Sequence, residues 1–236
     1  MHKIYSGVLS ATQKYKLVID GDRIAVGLSG GKDSLTLLAC MALLKKHSGI
    51  NFELCAILID QNSGRSDLSN LQVYCDDLGV VLHIVKTDIF DILFKERKEK
   101  NPCALCSNLR KGYLVSKARE LGCNKIALGH HADDFIETFF LSMFYENRLS
   151  TFEPSNYLDR NNITQIRPMI AIREKEILRA SIKLPILHNP CPADKHTKRE
   201  DVKALLIEME KLAPKLKENV LTALLDETRW QNFFKK

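Results

Sequence analysis

Short apolar runs alternating with helical stretches predict an α/β protein, a five-stranded, mainly parallel sheet sandwiched by helices. Three observations carry the prediction. Each candidate strand is a near-continuous apolar run, as in RIAVGL and FELCAILI, rather than an alternating one. A helix-length segment follows most of these runs. Glycine or acidic residues then punctuate the strand ends, as at SGGKDS, Asp60 and GHHADD.

Taken in order, residues Tyr5 to Val18 carry apolar side chains at three- and four-residue spacing and predict a helix. Arg23 to Leu28 is the first strand and Asp33 to Lys46 a helix bearing Leu35, Leu37, Leu38, Met41 and Leu44. Phe52 to Ile59 is the second strand, Asp67 to Leu78 a helix and Val80 to Val85 the third strand. Ile89 to Lys98 continues as helix or loop. Leu109 to Leu121 is a helix stopped by Gly122, because glycine readily takes the left-handed conformation that ends helices. Lys125 to Gly129 is the fourth strand and Asp134 to Tyr145 its helix. Arg148 to Asn162 is polar, contains Pro154 and predicts a loop, and Ile163 to Arg167 is the fifth strand. Glu174 to Ser181, Lys198 to Lys211 and Pro214 to Leu225 are helices. The expected organisation is a helical N-terminal extension (1–19), an α/β core (20–170) and a helical C-terminal portion of the same domain (171–236).

Bulk properties narrow the class. The 236 residues suit one domain, and 45% hydrophobic content is enough to bury a core. There is no run of about 18 apolar residues to span a membrane. The N-terminus has no long apolar core with a cleavage site, so a cytoplasmic, membrane-free protein is expected. Basic residues number 35 against 29 acidic ones, a net charge of +6 that permits an RNA partner without demanding one. Seven cysteines, an odd count, argue against a disulfide framework.

Ligands of parallel sheets bind beyond the carboxyl ends of the strands, so the residues there are the first candidates. Ser29, Gly30, Gly31, Lys32, Asp33 and Ser34 join the first strand to its helix. Adjacent glycines let backbone N–H groups turn toward an anion, the helix start adds partial positive charge and Lys32 a full one. This is a pyrophosphate cradle in outline. It is not a Walker A loop, because Val26 stands where that motif needs its first glycine and Asp33 where it needs Ser or Thr. Gly129, His130, His131, Ala132, Asp133 and Asp134 end the fourth strand. Their carboxylates, with Glu137, can hold Mg²⁺, move protons or simply cap the helix. Cys103 and Cys106 form a C-x-x-C after Pro102, and Cys191 lies between Pro190 and Pro192. A redox pair, a zinc site and an iron–sulfur site remain open for these thiols. Cys40, Cys55, Cys75 and Cys123 read as packing residues.

SGGKDS resembles the PP-loop of the adenine nucleotide alpha hydrolase-like families, whose members cut ATP between its α and β phosphates. NPCALCSNLRKGYL, KIALGHHADDFIETFFLSMFY, IRPMIAIREKEI and HNPCPAD extend the resemblance to the PP-loop tRNA thiolases, most closely the tRNA 2-thiocytidine synthetase family. The resemblance implies ATP with Mg²⁺ at Ser29 to Ser34, with Asp60, Gly129 and His130 also binding nucleotide. It implies a [4Fe–4S] cluster on Cys103, Cys106 and Cys191 with one iron left open for sulfur. It also implies Asp134 as catalytic acid or base. Arg110 and Lys111, on the basic helix after the cysteines, form a solvated face or stand beside the adenylate or the RNA phosphates. Its substrate would be cytidine 32 of tRNA, with sulfide or a cysteine desulfurase relay as sulfur donor and a homodimer as the assembly. Arg167, Arg173, Lys175, Lys195, Lys198 and Arg199 are expected to add to a tRNA surface.

Overall fold

The computed structural model describes residues 1–61, 64, 66–96, 102–187, 198–226 and 228. Six strands, β1 (Arg23–Leu28), β2 (Glu53–Asp60), β3 (Val81–Lys86), β4 (Lys125–Ala127), β5 (Ser155–Leu158) and β6 (Ile163–Ile166), form one sheet in the order β3-β2-β1-β4-β6-β5. All neighbours are parallel except β5 and β6. The predicted fold class holds, with one strand more than expected. β5 lies inside the segment 148–162 read as a loop. Its sequence, SNYL, has no apolar run, and its hairpin with β6 turns through Asn162 at φ +49°. Asparagine tolerates that left-handed conformation.

Helices α1 (His2–Tyr15), α2 (Lys32–His47), α3 (Ser69–Asp77), α4 (Pro102–Glu120), α5 (Ala132–Tyr145), α6 (Glu174–Ala180), α7 (Lys198–Leu212) and α8 (Leu216–Leu225) surround the sheet. Strand alternation divides the core in two. Ile24, Val26 and Leu28 of β1 pack with α1, α2 and α6 residues, whereas Ala25 packs with Leu114, Val115 and Ala118 of α4. Successive side chains on a strand point to opposite faces, so one run serves both layers. Leu35, Leu37 and Leu38 are fully buried, each contributing about 1.5–3 kcal/mol. A third cluster joins Ile136 and Phe140 of α5 to Val202 and Leu206 of α7.

Two further departures bear on the site. Residues Asp91–Glu96 form a single π-helical stretch. Helix α4 begins at Pro102, seven residues before the expected start at Leu109, which brings the C-x-x-C onto its first turn. A proline suits a first helical position because its N–H would have no helical partner there. Chain order runs β1, β2, β3 outward on one side and then returns to β4 on the other side of β1. The crevice between β1 and β4 is therefore the topological switch point, where such sheets bind ligands. No helix among the described residues is long and apolar enough to cross a membrane.

Candidate active site

The loop between β1 and α2 is held by its own hydroxyls. Ser34 Oγ donates to the Gly31 carbonyl at 3.0 Å and accepts from Ser29 N–H at 3.1 Å. Gly31 N–H donates to Ser29 Oγ at 3.3 Å. Gly30 sits at φ +77°, and its carbonyl accepts from Leu187 N–H at 2.9 Å. The Leu187 side chain packs so close over Gly30 that a Cβ there would lie 2.6 Å from it. Lys32, the first residue of α2, places Nζ 3.0 Å from Glu174 and 3.2 Å from Asp33. Burial opposes its charge, but Asp33 and Glu174 outweigh burial and hold its pKa above the usual lysine value. The ammonium is therefore charged at neutral pH and held by these two carboxylates, outside the residues that line the cleft.

The second wall follows β4. Gly129 lies against the start of α2, where a Cβ would meet Asp33 and Ser34 backbone atoms at about 3.1 Å. His131 caps α5: its Nδ1 accepts from Asp134 N–H at 3.3 Å, while Asp134 Oδ2 accepts from His131 N–H at 3.0 Å. This reciprocal cap fixes the Asp134 carboxylate at the mouth of the switch point. The two neighbouring carboxylates serve the fold instead. Asp133 is buried against Arg173 at 3.1 and 3.2 Å and accepts Glu174 N–H at 2.7 Å. Glu137 is buried and pairs with Arg199 at 3.1 Å. Of the three carboxylates weighed from sequence for metal or proton chemistry, Asp134 alone lines the cleft.

That cleft has a volume of about 400 Å³. Ser29, Asp33 and Ser34 line one side, Gly129, His130 and Asp134 the middle, and Ser107, Arg110 and Lys111 of α4 the opposite wall. Arg110 and Lys111 are exposed. Asp60 is buried at the end of β2, outside the lining, and accepts Ser66 Oγ at 2.9 Å. Of the cations expected on an RNA surface, Arg167 lies buried within the cleft, Arg173 pairs with Asp133, and the partly exposed Arg199 pairs with Glu137. Lys195 lies outside the described residues.

Cys103 and Cys106 stand one helical turn apart at the start of α4, Cys103 exposed and Cys106 half-buried. Cys106 Sγ donates to Gln61 Oε1 at 2.9 Å, just past β2. Residues three apart on a helix share a face. Two thiols so placed, one turn before the cleft-lining Ser107, Arg110 and Lys111, fit two ligand positions of an iron–sulfur cluster. Cys191 lies outside the described residues, though Leu187, four residues earlier, is tied to Gly30. Among the described residues no group of three potential ligands is assembled. Cys40 and Cys75 are buried, with thiols pushed up to about 12 and about 11 by burial, as packing residues should be.

Comparison with known proteins decides the family. A PP-loop domain model matches residues 7–210. The tRNA-cytidine(32) 2-sulfurtransferase of Geobacter sulfurreducens is 38% identical over 229 residues, covering 94% of this chain and 88% of that protein. The chain belongs to the PP-loop family of tRNA-cytidine(32) 2-sulfurtransferases. Another sulfurtransferase of this name, from Aliivibrio fischeri MJ11, is 40% identical over 94% of this chain and 74% of its own length. The fold also matches the U34-tRNA thiolase NcsA from Methanococcus maripaludis, solved with its [4Fe-4S] cluster. There the TM-score is 0.74 at 23% identity, over 93% of this chain and 77% of that one.

Three polar residues of this sulfurtransferase family member, Ser107, Gln165 and Arg167, were not expected in the cleft from sequence. Gln165 and Arg167 both line it at the end of β6. Their signal was position: Arg167 closes the last strand just before Pro168, as SGGKDS and GHHADD close theirs.

Proposed function

We propose that the chain is an ATP-dependent tRNA sulfurtransferase that replaces the C2 oxygen of cytidine 32 with sulfur. The observation that carries this is one cleft bringing together the Ser29–Ser34 loop, Asp134 and the α4 wall that follows the C-x-x-C. The N–H groups of the loop and Lys32 hold the pyrophosphate of ATP, which leaves when the C2 oxygen attacks the α-phosphate. Ser29 and Ser34 keep the loop open for it. Mg²⁺ accompanies the nucleotide. Asp134, anchored through His131, accepts a proton as sulfur replaces the adenylated oxygen and AMP departs. Arg110 and Lys111 offset negative charge of the adenylate or of the RNA backbone. Cys103, Cys106 and Cys191 would hold a [4Fe–4S] cluster, which when bound would supply metal chemistry for sulfur delivery, and a donor held on the protein would spare the reaction a bimolecular encounter.

On this reading the enzyme works in the cytoplasm and draws sulfur from sulfide or a desulfurase relay. It forms a homodimer, an arrangement favoured by the exposed Met143, Phe144, Tyr145 and Leu149. Anaerobic reconstitution followed by nucleoside mass spectrometry tests the activity. Unmodified tRNA is expected to gain 2-thiocytidine with ATP converted to AMP, and Cys103→Ser and Cys106→Ser should lose both the visible absorption and the product. A reconstituted cluster with no sulfur in any nucleoside would overturn the assignment.

A further inference from the structure

Beyond β4 from the PP-loop, the cleft holds an enclosed cation without an ion-pair partner among the described residues. Arg167 is 6% exposed. Its Nη1 donates to the Glu153 carbonyl at 2.6 Å and its Nε to His130 Nδ1 at 3.3 Å, while the guanidinium carbon lies 4.9 Å from the Phe152 ring centre. The comparably enclosed cations behave otherwise. Arg173 pairs with Asp133, Lys125 with Asp22, and Lys217 with Asp133 and Glu210. The Glu153 carboxylate acts on Arg167 only from beyond ion-pair distance, and burial outweighs it; an enclosed charge so weakly balanced is costly, and in a cleft it marks a place for a ligand.

His130 completes the arrangement. Burial, aided by Arg167, Arg199 and His131, pushes its pKa down to about 4 against the pull of Asp134, so the imidazole is neutral near pH 7. Its Nδ1 accepts from Arg167, so its single proton sits on Nε2 and can be donated. The ring is further held 5.0 Å from Phe152. A full positive charge and a neutral N–H donor thus meet on one wall.

We propose that Arg167 and His130 form a receptor for a phosphate oxygen entering this cleft, supplied by the α-phosphate of the nucleotide or by an RNA phosphodiester flanking the target base. The site rests on the functional reading above and adds a contact on the β6 side, opposite the pyrophosphate cradle.

Arg167→Gln keeps an amide to meet the Glu153 carbonyl and removes the charge, whereas Arg167→Lys keeps the charge. Binding of ATP and of an anticodon stem-loop RNA is measured for both variants and the parent protein. Arg167→Gln is expected to bind one of the two probes about 10–100-fold more weakly, with Arg167→Lys recovering part of the loss. A loss confined to ATP assigns the α-phosphate; a loss confined to RNA, with a shallower salt dependence, assigns the phosphodiester. If the parent binds both probes and Arg167→Gln matches it within about twofold, the receptor is overturned while the functional reading stands. A parent that binds neither probe removes both. Should Arg167→Gln fail to fold, the Nε–H resonance of Arg167 in the parent protein is followed during titration with AMP and with the RNA. A shift with either supports the site, and no shift with either overturns it.

Discussion

Gly30 meets two constraints at once: a left-handed backbone and close packing under Leu187. A Cβ at that position adds strain and a clash, so Gly30→Ala is expected to cost about 1–3 kcal/mol in urea unfolding and to weaken ATP binding. His130 gives a pH signature. Its native pKa of about 4 lies below the ordinary 6.5, so the unfolded chain binds more protons between those values. Its contribution is complete above pH 6.5 and is lost as pH falls toward about 4. The loss is on the order of 3 kcal/mol. His130→Asn should therefore show a flatter dependence of the urea midpoint on pH across that window than the parent. Both residues were named from sequence as nucleotide binders, but neither Leu187 nor Arg167 was legible as their partner. Each lies far along the chain, and only folding brings it across.

At the scale of elements, two adjacent aspartates on the first turn of α5 are divided between fold and cleft. Asp133 joins α5 to Arg173 and to the start of α6, and Arg173 reaches on to Glu218 of α8. Glu174, at the first turn of α6, ties Lys32 to Lys203 of α7. The Ser29–Ser34 loop is thus wired to the C-terminal helices by ion pairs. Asp133→Asn should lower stability by about 3 kcal/mol, because it leaves an enclosed arginine short of its main partner. Asp134→Asn should change stability by less than about 1 kcal/mol, since the amide oxygen still caps His131, yet it should abolish sulfur transfer. Paired urea titrations and turnover assays separate the two. The adjacent acids looked alike in sequence because helix starts favour acidic residues whatever their role.

For the whole molecule, the proposed RNA approach rests on the exposed cations near the cleft. Arg173 and Arg199 are held in ion pairs with Asp133 and Glu137, and Arg110 and Lys111 are exposed cations that line it. Arg110→Ala and Lys111→Ala are each expected to weaken tRNA binding. The slope of log affinity against log salt should shrink by about one for each phosphate that is no longer neutralised. An unchanged slope in filter binding at several salt concentrations would place the RNA elsewhere. The net charge of +6 is otherwise too small to steer a specific partner without such local concentration.

The α/β class, the parallel core strands and the two strand-end motifs follow from local pattern. An apolar run must be buried on both faces, and a glycine turn before a helix presents N–H groups whatever packs around it. β5, the early start of α4 and the inward turn of Arg167 do not follow from local pattern. SNYL is a strand because β6 offers it an edge, and Arg167 is enclosed because Phe152 and Glu153 close over it. Burial and pairing of that kind are set by residues distant in the chain, and they separate Asp134, which faces the cleft, from Asp133, which holds the helices together.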